Sequence, residues 1–286
     1  MSSTETSTDA LKARIRRKYE DVASDGSESS SCCGDSAGEA SAEGEASAEA
    51  ASENGIAYMG ESYDGIDGHA AEADLGLGCG LPTEVADLKP GEAVLDLGSG
   101  AGVDAFVARR AVGPEGRVEG VDFAPTMVEK ARRNADDLGY ENTRFHHGEI
   151  EALPVEDASF DVVVSNCVLN LVPSKEKAFA ETYRALRPGG RFVVSDIVSV
   201  GALPEAIREA AELHAGCVAG ALPKEEYLSI IRGAGFEGVT VAKERAIELP
   251  DGVLRPHLSG DDLRAFRTSE ASLLSVTVTG TRPAAA

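Results

Sequence analysis

Five cysteines carry the most distinctive chemistry of this 286-residue chain: Cys32, Cys33, Cys79, Cys167 and Cys217. Cys79 lies in the glycine-flanked run Leu75–Pro82 (LGLGCGLP), Cys167 directly follows an apolar, strand-like run, and Cys217 sits in His214–Gly220 (HAGCVAG). Three thiols from three separate segments can converge, and clustered thiolates suit a soft centre such as Zn(II), Cu(I) or As(III). No Cys-x-x-Cys pair occurs and the histidines hold no metal-ligand spacing, so a structural zinc site is not expected. The bland alternative for any one cysteine is a small buried hydrophobe. The cysteine number is odd and the first residues lack an apolar signal core, so reduced thiols in a cytoplasm fit better than a secreted disulfide framework.

A second constellation is Asp96–Gly102 (DLGSGAG), which closes one apolar run and opens a helical one. Small residues there let the backbone approach a ligand closely, and amides at a helix start offer donors. Asp122 lies 20 residues beyond Gly102 at the end of the next strand pattern, placed to accept both hydroxyls of a ribose. A dinucleotide or S-adenosylmethionine would satisfy this much. Three details favour the latter. The spacing is GxGxG rather than GxGxxG, Asp96 can face the ammonium of a methionine tail, and Leu186–Gly190 (LRPGG) leads into a later strand. Candidate cofactor contacts are therefore Asp96, Gly98, Ser99, Gly100, Gly102, Asp122 and, in the first turn of the following helix, Met127.

The elements that must position these residues alternate. Strands are predicted at Ala93–Leu97, Arg117–Asp122, Thr143–His147, Phe160–Ser165 and Arg191–Val198, with helices at Val103–Val112, around Met127–Leu138, and at Lys175–Leu186. The near-continuous apolar run FDVVVS is that of a central parallel strand covered on both faces. Repeated strand–helix units imply an α/β, doubly wound, mostly parallel sheet. Helical stretches at Pro204–Ala219 and Lys224–Ala234 and strand-like pieces at Val239–Leu249 and Leu273–Thr281 suggest a late antiparallel hairpin, with 200–235 as a cap above the sheet. At the other end, 8–22 reads as an amphipathic helix through Leu11, Ile15, Tyr19 and Val22. From Ala23 to Gly55 the chain is Ser/Ala/Glu/Gly-rich, too poor in apolar surface to offset its ordering entropy, and is expected to be a flexible tether.

Charge narrows the partners. The 27 Lys+Arg against 49 Asp+Glu leave a net −22, which argues against nucleic acid or an anionic membrane surface. No apolar run is long enough to span a bilayer. Only 8 of the basic residues are Lys, and an acidic, Lys-poor surface points to a halophilic source, where salt screens the self-repulsion. Nothing resembles an oligomer seam, so a monomer is expected. His146-His147, Arg109-Arg110 and Arg132-Arg133 read as structural or solvated residues. His214, one turn before Cys217, is a candidate to tune that thiol.

From Leu75 to Val200 the chain resembles the class I S-adenosylmethionine-dependent methyltransferases, which implies that loop 98–102 cradles the methionine moiety and Asp122 the ribose. Gly148–Pro154 (GEIEALP) resembles the family's adenine-side motif, so Ile150 would pack on the ring and Glu151 (or Glu149) face its amino group, with Asn166 lining the methyl-transfer site. LGLGCGLP (75–82), SNCVLNLVP (165–173) and AGCVAGAL (215–222) resemble the three arsenic-binding segments of the arsenite S-adenosylmethionine methyltransferases, and LKARIRRKYEDVA (11–23) resembles that family's leading helix. The resemblance implies Cys79, Cys167 and Cys217 as arsenic ligands and catalytic thiols. It implies attack by the arsenic lone pair on the sulfonium methyl without a general base, and reduction of arsenic afterwards by cysteine thiols that a thioredoxin- or glutathione-like reductant restores. Cys32 and Cys33 would receive arsenic first, or one of them would form the regenerating disulfide with Cys79, since neighbouring cysteines rarely bridge each other without strain; the long acidic insertion around them departs from the family. On this reading the chain divides into a leading helix (1–22), an acidic tether carrying Cys32 and Cys33 (23–55), a cofactor-binding methyltransferase core (56–200), and cap helices with late strands (201–286). A generic small-molecule C- or O-methyltransferase and a non-catalytic arsenic-binding protein are the competing readings.

Overall fold

The structure, a computed structural model, describes residues 12–13, 15–17, 19–20, 22–23, 60–201, 203, 220–255 and 258–284. The tether and the stretch Pro204–Ala219, with Cys32, Cys33, His214 and Cys217, lie outside the described residues. The leading helix α1 is described at 12–13, 15–17, 19–20 and 22–23.

Seven strands form one sheet in the order β3-β2-β1-β4-β5-β7-β6. Five are the strands read from the apolar runs: β1 Ala93–Leu97, β2 Arg117–Asp122, β3 Thr143–His147, β4 Phe160–Asn166 and β5 Leu186–Val200. These pair in parallel, whereas β7 (Ser272–Thr281) runs antiparallel to both β5 and β6 (Glu237–Ile247). The late antiparallel pair is thus present, but β6 and β7 are joined through α7 (Asp251–Leu254) and α8 (Gly260–Thr268) rather than by a tight turn. The period-2 alternation of each strand divides the core between two faces. Leu95, Leu97, Val163, Phe192 and Val194 face the layer of α5 (Lys175–Ala185) and α6 (Lys224–Gly233). Val94, Val162, Val164 and Val193 face that of α3 (Val103–Val112) and α4 (Pro125–Asp137). Of the segment expected as a cap, α6 buries Tyr227, Leu228 and Ile231 against this sheet face.

The order reverses beside β1, which has β2 on one side and β4 on the other. The connections leaving the carboxyl ends of β1 and β4 run to helices on opposite faces, α3 and α5, leaving the crevice in which open α/β sheets bind ligands. On the α5–α6 face the aromatic rings of Phe179, Phe192 and Phe236 interlock edge-on, with centroids 6.1 Å apart for Phe179–Phe192 and 4.6 Å for Phe192–Phe236. Phe192 is fully buried. Truncation to Ala is expected to cost about 3–5 kcal/mol, the usual range for a buried aromatic. Urea titration checks this, and a loss well below that range would show that the cluster collapses around the gap.

Candidate active site

The crevice beside β1 opens into a cavity lined by residues from α1, from the chain before β1, and from the carboxyl ends of β1, β2 and β4. Loop 98–102 forms its floor. Gly98 and Ser99 donate to the Val121 carbonyl at 2.7 and 3.1 Å, tying the loop to β2. Its glycines serve different purposes. At Gly98 a Cβ would collide with Val168, and at Gly102 it would meet the Phe106 ring at 2.7 Å. Gly100 has φ +50° and open space where a Cβ would stand, the bare-backbone cradle expected for a close ligand.

The loop is surrounded by buried carboxylates. Asp96, Asp104 and Asp122 are 2%, 4% and 7% exposed. Burial, reinforced by Asp104 and Asp122, pushes the Asp96 carboxyl well above the usual carboxylate range. Burial lifts Asp104 to about 6, against hydrogen bonds from Tyr63 and Asn166, and raises Asp122 against donated backbone amides. Tyr63 donates to Asp104 Oδ2 at 2.7 Å. The two Asp122 oxygens accept from Ala124 and Gly100 at 2.8 and 3.0 Å, leaving lone pairs for further donors. Among the described residues Asp96 Oδ2, Asp104 Oδ1 and Ser99 Oγ are buried without a hydrogen-bond partner. Unmatched buried acceptors of this kind require a donor to complete them, and a cationic one suits them best. The anionic pyrophosphate of a dinucleotide would be repelled here.

The described lining cation is Lys12 of α1, and it is held away from that cluster. Its Nζ lies 2.7 Å from Glu149 and 2.9 Å from Glu151. Burial works against the ammonium, but those two carboxylates outweigh it and raise its pKa. Glu151 also accepts from Ser174 N–H at 3.0 Å, and Ile150 lines the same end of the cavity. Further along α1, Tyr19 meets the Phe123 ring edge-on at 6.4 Å.

Asn166, the last residue of β4, joins the two chemistries. Its Oδ1 accepts the backbone N–H groups of Cys79 and Gly80 at 3.0 and 3.3 Å. Its Nδ2 faces Gly80 O, Tyr63 Oη and Asp104 Oδ2 at 2.7, 2.8 and 3.1 Å. Gly78 and Gly80 permit this clasp, because a Cβ at either would stand 2.7 Å from Asn166 Nδ2 or Ser195 Oγ respectively. Cys79 and Cys167 are thereby brought to one spot: the Ser195 carbonyl accepts the Cys167 N–H at 2.7 Å and the Cys79 thiol at 3.5 Å. Cys167 lines the cavity, while Cys79 is fully buried beside it in the same cluster as Ile197 and Leu273.

A methyltransferase-domain family model matches residues 88–235, over half the chain. This chain belongs to that methyltransferase-domain family. It is 41% identical to an arsenite methyltransferase of Halobacterium salinarum, over 94% of this chain and 66% of that protein. It is 37% identical to the arsenite methyltransferase of Aquipseudomonas alcaligenes, over 63% of this chain and 54% of that one. The chain thus spans slightly less than two thirds of the first of these relatives and about half of the second. Among solved structures, an arsenic(III) S-adenosylmethionine methyltransferase from Chlamydomonas reinhardtii superposes with a TM-score of 0.57 at 38% identity, covering 66% of this chain and 63% of that one.

Of the cofactor contacts expected for such a domain, Asp96, Gly98, Ser99, Gly100, Asp122, Ile150, Glu151 and Asn166 line one cavity. Gly102 and Met127 do not; Gly102 makes room for Phe106, and Met127 is fully buried. The cluster fits S-adenosylmethionine, whose ammonium and sulfonium match the unpartnered acceptors. Sequence reasoning passed over Asp104, Tyr63 and Lys12. An acid two residues past the glycine loop was a usable signal for Asp104, whereas Tyr63 and Lys12 had none.

Two expectations follow. Asn166→Ala removes the clasp on the Cys79 loop and strips Asp104 of a donor, at a cost of about 1–3 kcal/mol measured by urea denaturation; an unchanged midpoint would show the loop is held elsewhere. The folded chain keeps the Asp104 proton up to about pH 6, whereas an unfolded carboxyl releases it near 3.8. Between those values the native state binds more protons, so stability falls as pH rises through the window and levels off above it. Asp104→Asn should flatten that slope relative to the parent chain, and parallel slopes would place the titration elsewhere.

Proposed function

We propose that this protein transfers methyl groups from S-adenosylmethionine to arsenite held by cysteine thiolates, giving methylated arsenicals in arsenic detoxification. The observation that carries the reading is the seating of Cys79 and Cys167 on one carbonyl at the edge of the carboxylate-lined cavity. A generic methyltransferase acting on an organic acceptor has no use for two buried thiols there.

Asp96 and Asp104 would take the methionine ammonium, Gly98–Gly100 the methionine backbone, Asp122 the ribose, and Ile150 with Glu151 the adenine. Bound there, S-adenosylmethionine supplies an electrophilic methyl group for the lone pair of thiolate-bound arsenic. The chain's own contribution is to bind, orient and exclude water. Cys167 at the cavity wall and Cys79 behind it hold the arsenic, Asn166 fixes the distance between their loops, and α1 covers the adenine end through Lys12. The substrate nucleophile has no proton to remove, so no general base is needed. Trivalent arsenic takes three sulfur ligands, and Cys217 is assigned as the third. It is three residues from Gly220 in sequence, a chain span of at most about 11 Å, and Gly220 abuts the carbonyl of Asn170, itself three residues after Cys167. Cys32 and Cys33 are assigned to the redox side, in which two thiols close a disulfide as arsenic(V) returns to arsenic(III), and a thioredoxin- or glutathione-like reductant reopens it.

No described helix is long and apolar enough to cross a membrane. We assign the enzyme to the cytoplasm as a monomer, and read the net −22 as adaptation to high salt; equal stability in dilute and multimolar KCl would refute the salt assignment.

The deciding measurement is arsenic speciation by mass spectrometry after incubation with arsenite, S-adenosylmethionine and a thiol reductant at low and high KCl. Methylarsenicals with S-adenosylhomocysteine are expected; arsenite bound but unmethylated would make the protein a sequestering one. Cys79→Ser, Cys167→Ser and Cys217→Ser should each abolish methylation while S-adenosylmethionine binding persists, and full activity in any of them removes that residue from the ligand set. Under thiol-limited conditions a Cys32→Ser/Cys33→Ser double variant should turn over more slowly than the parent chain.

A further inference from the structure

At the carboxyl end of β4 the chain leaves the sheet through Cys167, whose backbone sits in the left-handed region at φ 58°. A side chain with a Cβ is strained there, so the surroundings must over-determine the turn. They do so from three consecutive residues of β5. The β4–β5 ladder ends with Asn166 opposite Ser195. Beyond that point the Ser195 carbonyl accepts the Cys167 N–H at 2.7 Å. Ile197, two residues on and facing the same strand edge, gives its carbonyl to Asn170 Nδ2 at 2.6 Å. Between the two lies Asp196, whose Oδ2 accepts the hydroxyl of Tyr227 at 2.7 Å, while its Oδ1 is buried without a hydrogen-bond partner beside Asn170 and Lys175.

Asn170 is held on its remaining side as well. Lys175, the first residue of α5, reaches its carbonyl at 3.4 Å, and Gly220 packs so close to that carbonyl that no Cβ could stand there. Asn170, Lys175, Asp196 and Tyr227 are 4%, 7%, 1% and 0% exposed. Burial raises the Asp196 carboxyl to about 7, against Tyr227, Lys175 and the Asn170 amide, and it lowers the Lys175 ammonium, whose other charged neighbours are Glu176 and Glu226. None of Lys175, Asp196 and Tyr227 lines the cofactor cavity. Yet the Tyr227 hydroxyl lies close enough to Cys79 and Cys167 for charge on either thiol to oppose its ionisation. A buried charged pair is a weak source of stability, since apolar replacements often serve as well, so its value lies in the geometry it imposes.

We propose that Asp196, Lys175 and Tyr227 are positioning residues for Cys167, acting through Asn170 to hold the strained turn that aims its thiol into the cavity. This deepens the arsenite reading and rests on it for the identity of the substrate. The device is a relay: two β5 carbonyls and the α5 ammonium bond residues 167–170 directly, and the α6 hydroxyl fixes the Asp196 carboxylate whose charge faces Lys175.

The test uses the full chain with Lys175→Met, which keeps the apolar stem, Tyr227→Phe, which keeps the ring, Asp196→Leu, and Asp196→Asn as the conservative rescue. Three quantities are read: the alkylation rate of Cys167 by iodoacetamide, resolved from Cys79 by peptide mass spectrometry; the KM for arsenite; and the Kd for S-adenosylmethionine. The proposal expects Lys175→Met and Asp196→Leu to change the Cys167 rate by about tenfold or more, as for a misplaced reactive group, and to raise the arsenite KM with an unaltered cofactor Kd. Asp196→Asn should recover most of the loss, because its amide oxygen still accepts the Tyr227 hydroxyl. Unchanged Cys167 reactivity in folded variants overturns the proposal, as does a parallel drift of arsenite KM and cofactor Kd, which marks a merely structural role. If Asp196→Leu fails to fold, Lys175→Met and Tyr227→Phe decide. Should the parent chain fail to methylate arsenite while these variants still shift Cys167 reactivity, the substrate reading falls and the positioning role stands.

Discussion

Five hydrogen-bond contacts meet on the side-chain amide of Asn166, and through them the molecule joins the carboxylate-lined cavity to the loop that carries Cys79. The amide stands at the end of β4, the strand that forms one wall of the crevice. It grips a loop 86 residues earlier in the chain at Gly80 and a helix residue at Asp104. A planar amide has acceptor and donors in fixed directions, so one side chain sets how far the Cys79 loop stands from the cavity. The Ser275 hydroxyl adds a further tie by donating to the Cys79 carbonyl at 2.5 Å. The loop itself has little regular structure, only the four-residue α2 (Pro82–Val85) at its end. It depends on these contacts, and on two glycines that let it lie against the sheet.

The second organising constraint is electrostatic. Three aspartates crowd a glycine loop with no described cation among them, and burial resists the ionisation of each. Such a cluster is costly to fold and gains its compensation from a ligand that carries positive charge. The same site thus explains why Tyr63 and Asn166 donate to Asp104: they support the carboxylate until the ligand arrives. At the opposite end of the cavity the carboxylates already have a cation, since Lys12 bridges Glu149 and Glu151. The cavity is therefore polarised along its length, one end needing a cation and the other closed by α1. A molecule with an ammonium at one end and an adenine at the other fits that polarity.

Both constraints converge on the edge between β4 and β5. The two described cysteines are held at the last rung of the β4–β5 ladder, where the Ser195 carbonyl accepts from both. Where β4 ends and β5 runs on to Val200, the open edge of β5 supplies directed acceptors at no further cost in structure. A left-handed residue at Cys167 turns the chain across those acceptors instead of continuing the strand.

Much of this was legible in the residues. Alternating apolar runs gave β1, α3, β2 and β3 at the boundaries observed, because strand and helix periods are local properties of the chain. The glycine loop, Asp96 and Asp122 could be placed because their spacing is tied to one strand–turn–helix unit. The cysteine motifs supplied the thiol reading on which the proposed function rests. Asn166 was read as a wall of the transfer site, yet its larger task, clasping a loop from the other end of the domain, depends on contacts between residues remote in sequence. Asp104, Tyr63, Lys12 and the Asp196–Tyr227–Lys175 network share that character: each is an ordinary residue in its own segment and acquires a role only when burial removes water and brings partners from elsewhere. The sequence alone determined the elements and the glycine loop, since these rest on local geometry and residue type. The tertiary structure decided which side chains support it, since desolvation and the direction of a hydrogen bond exist only once the strands are paired.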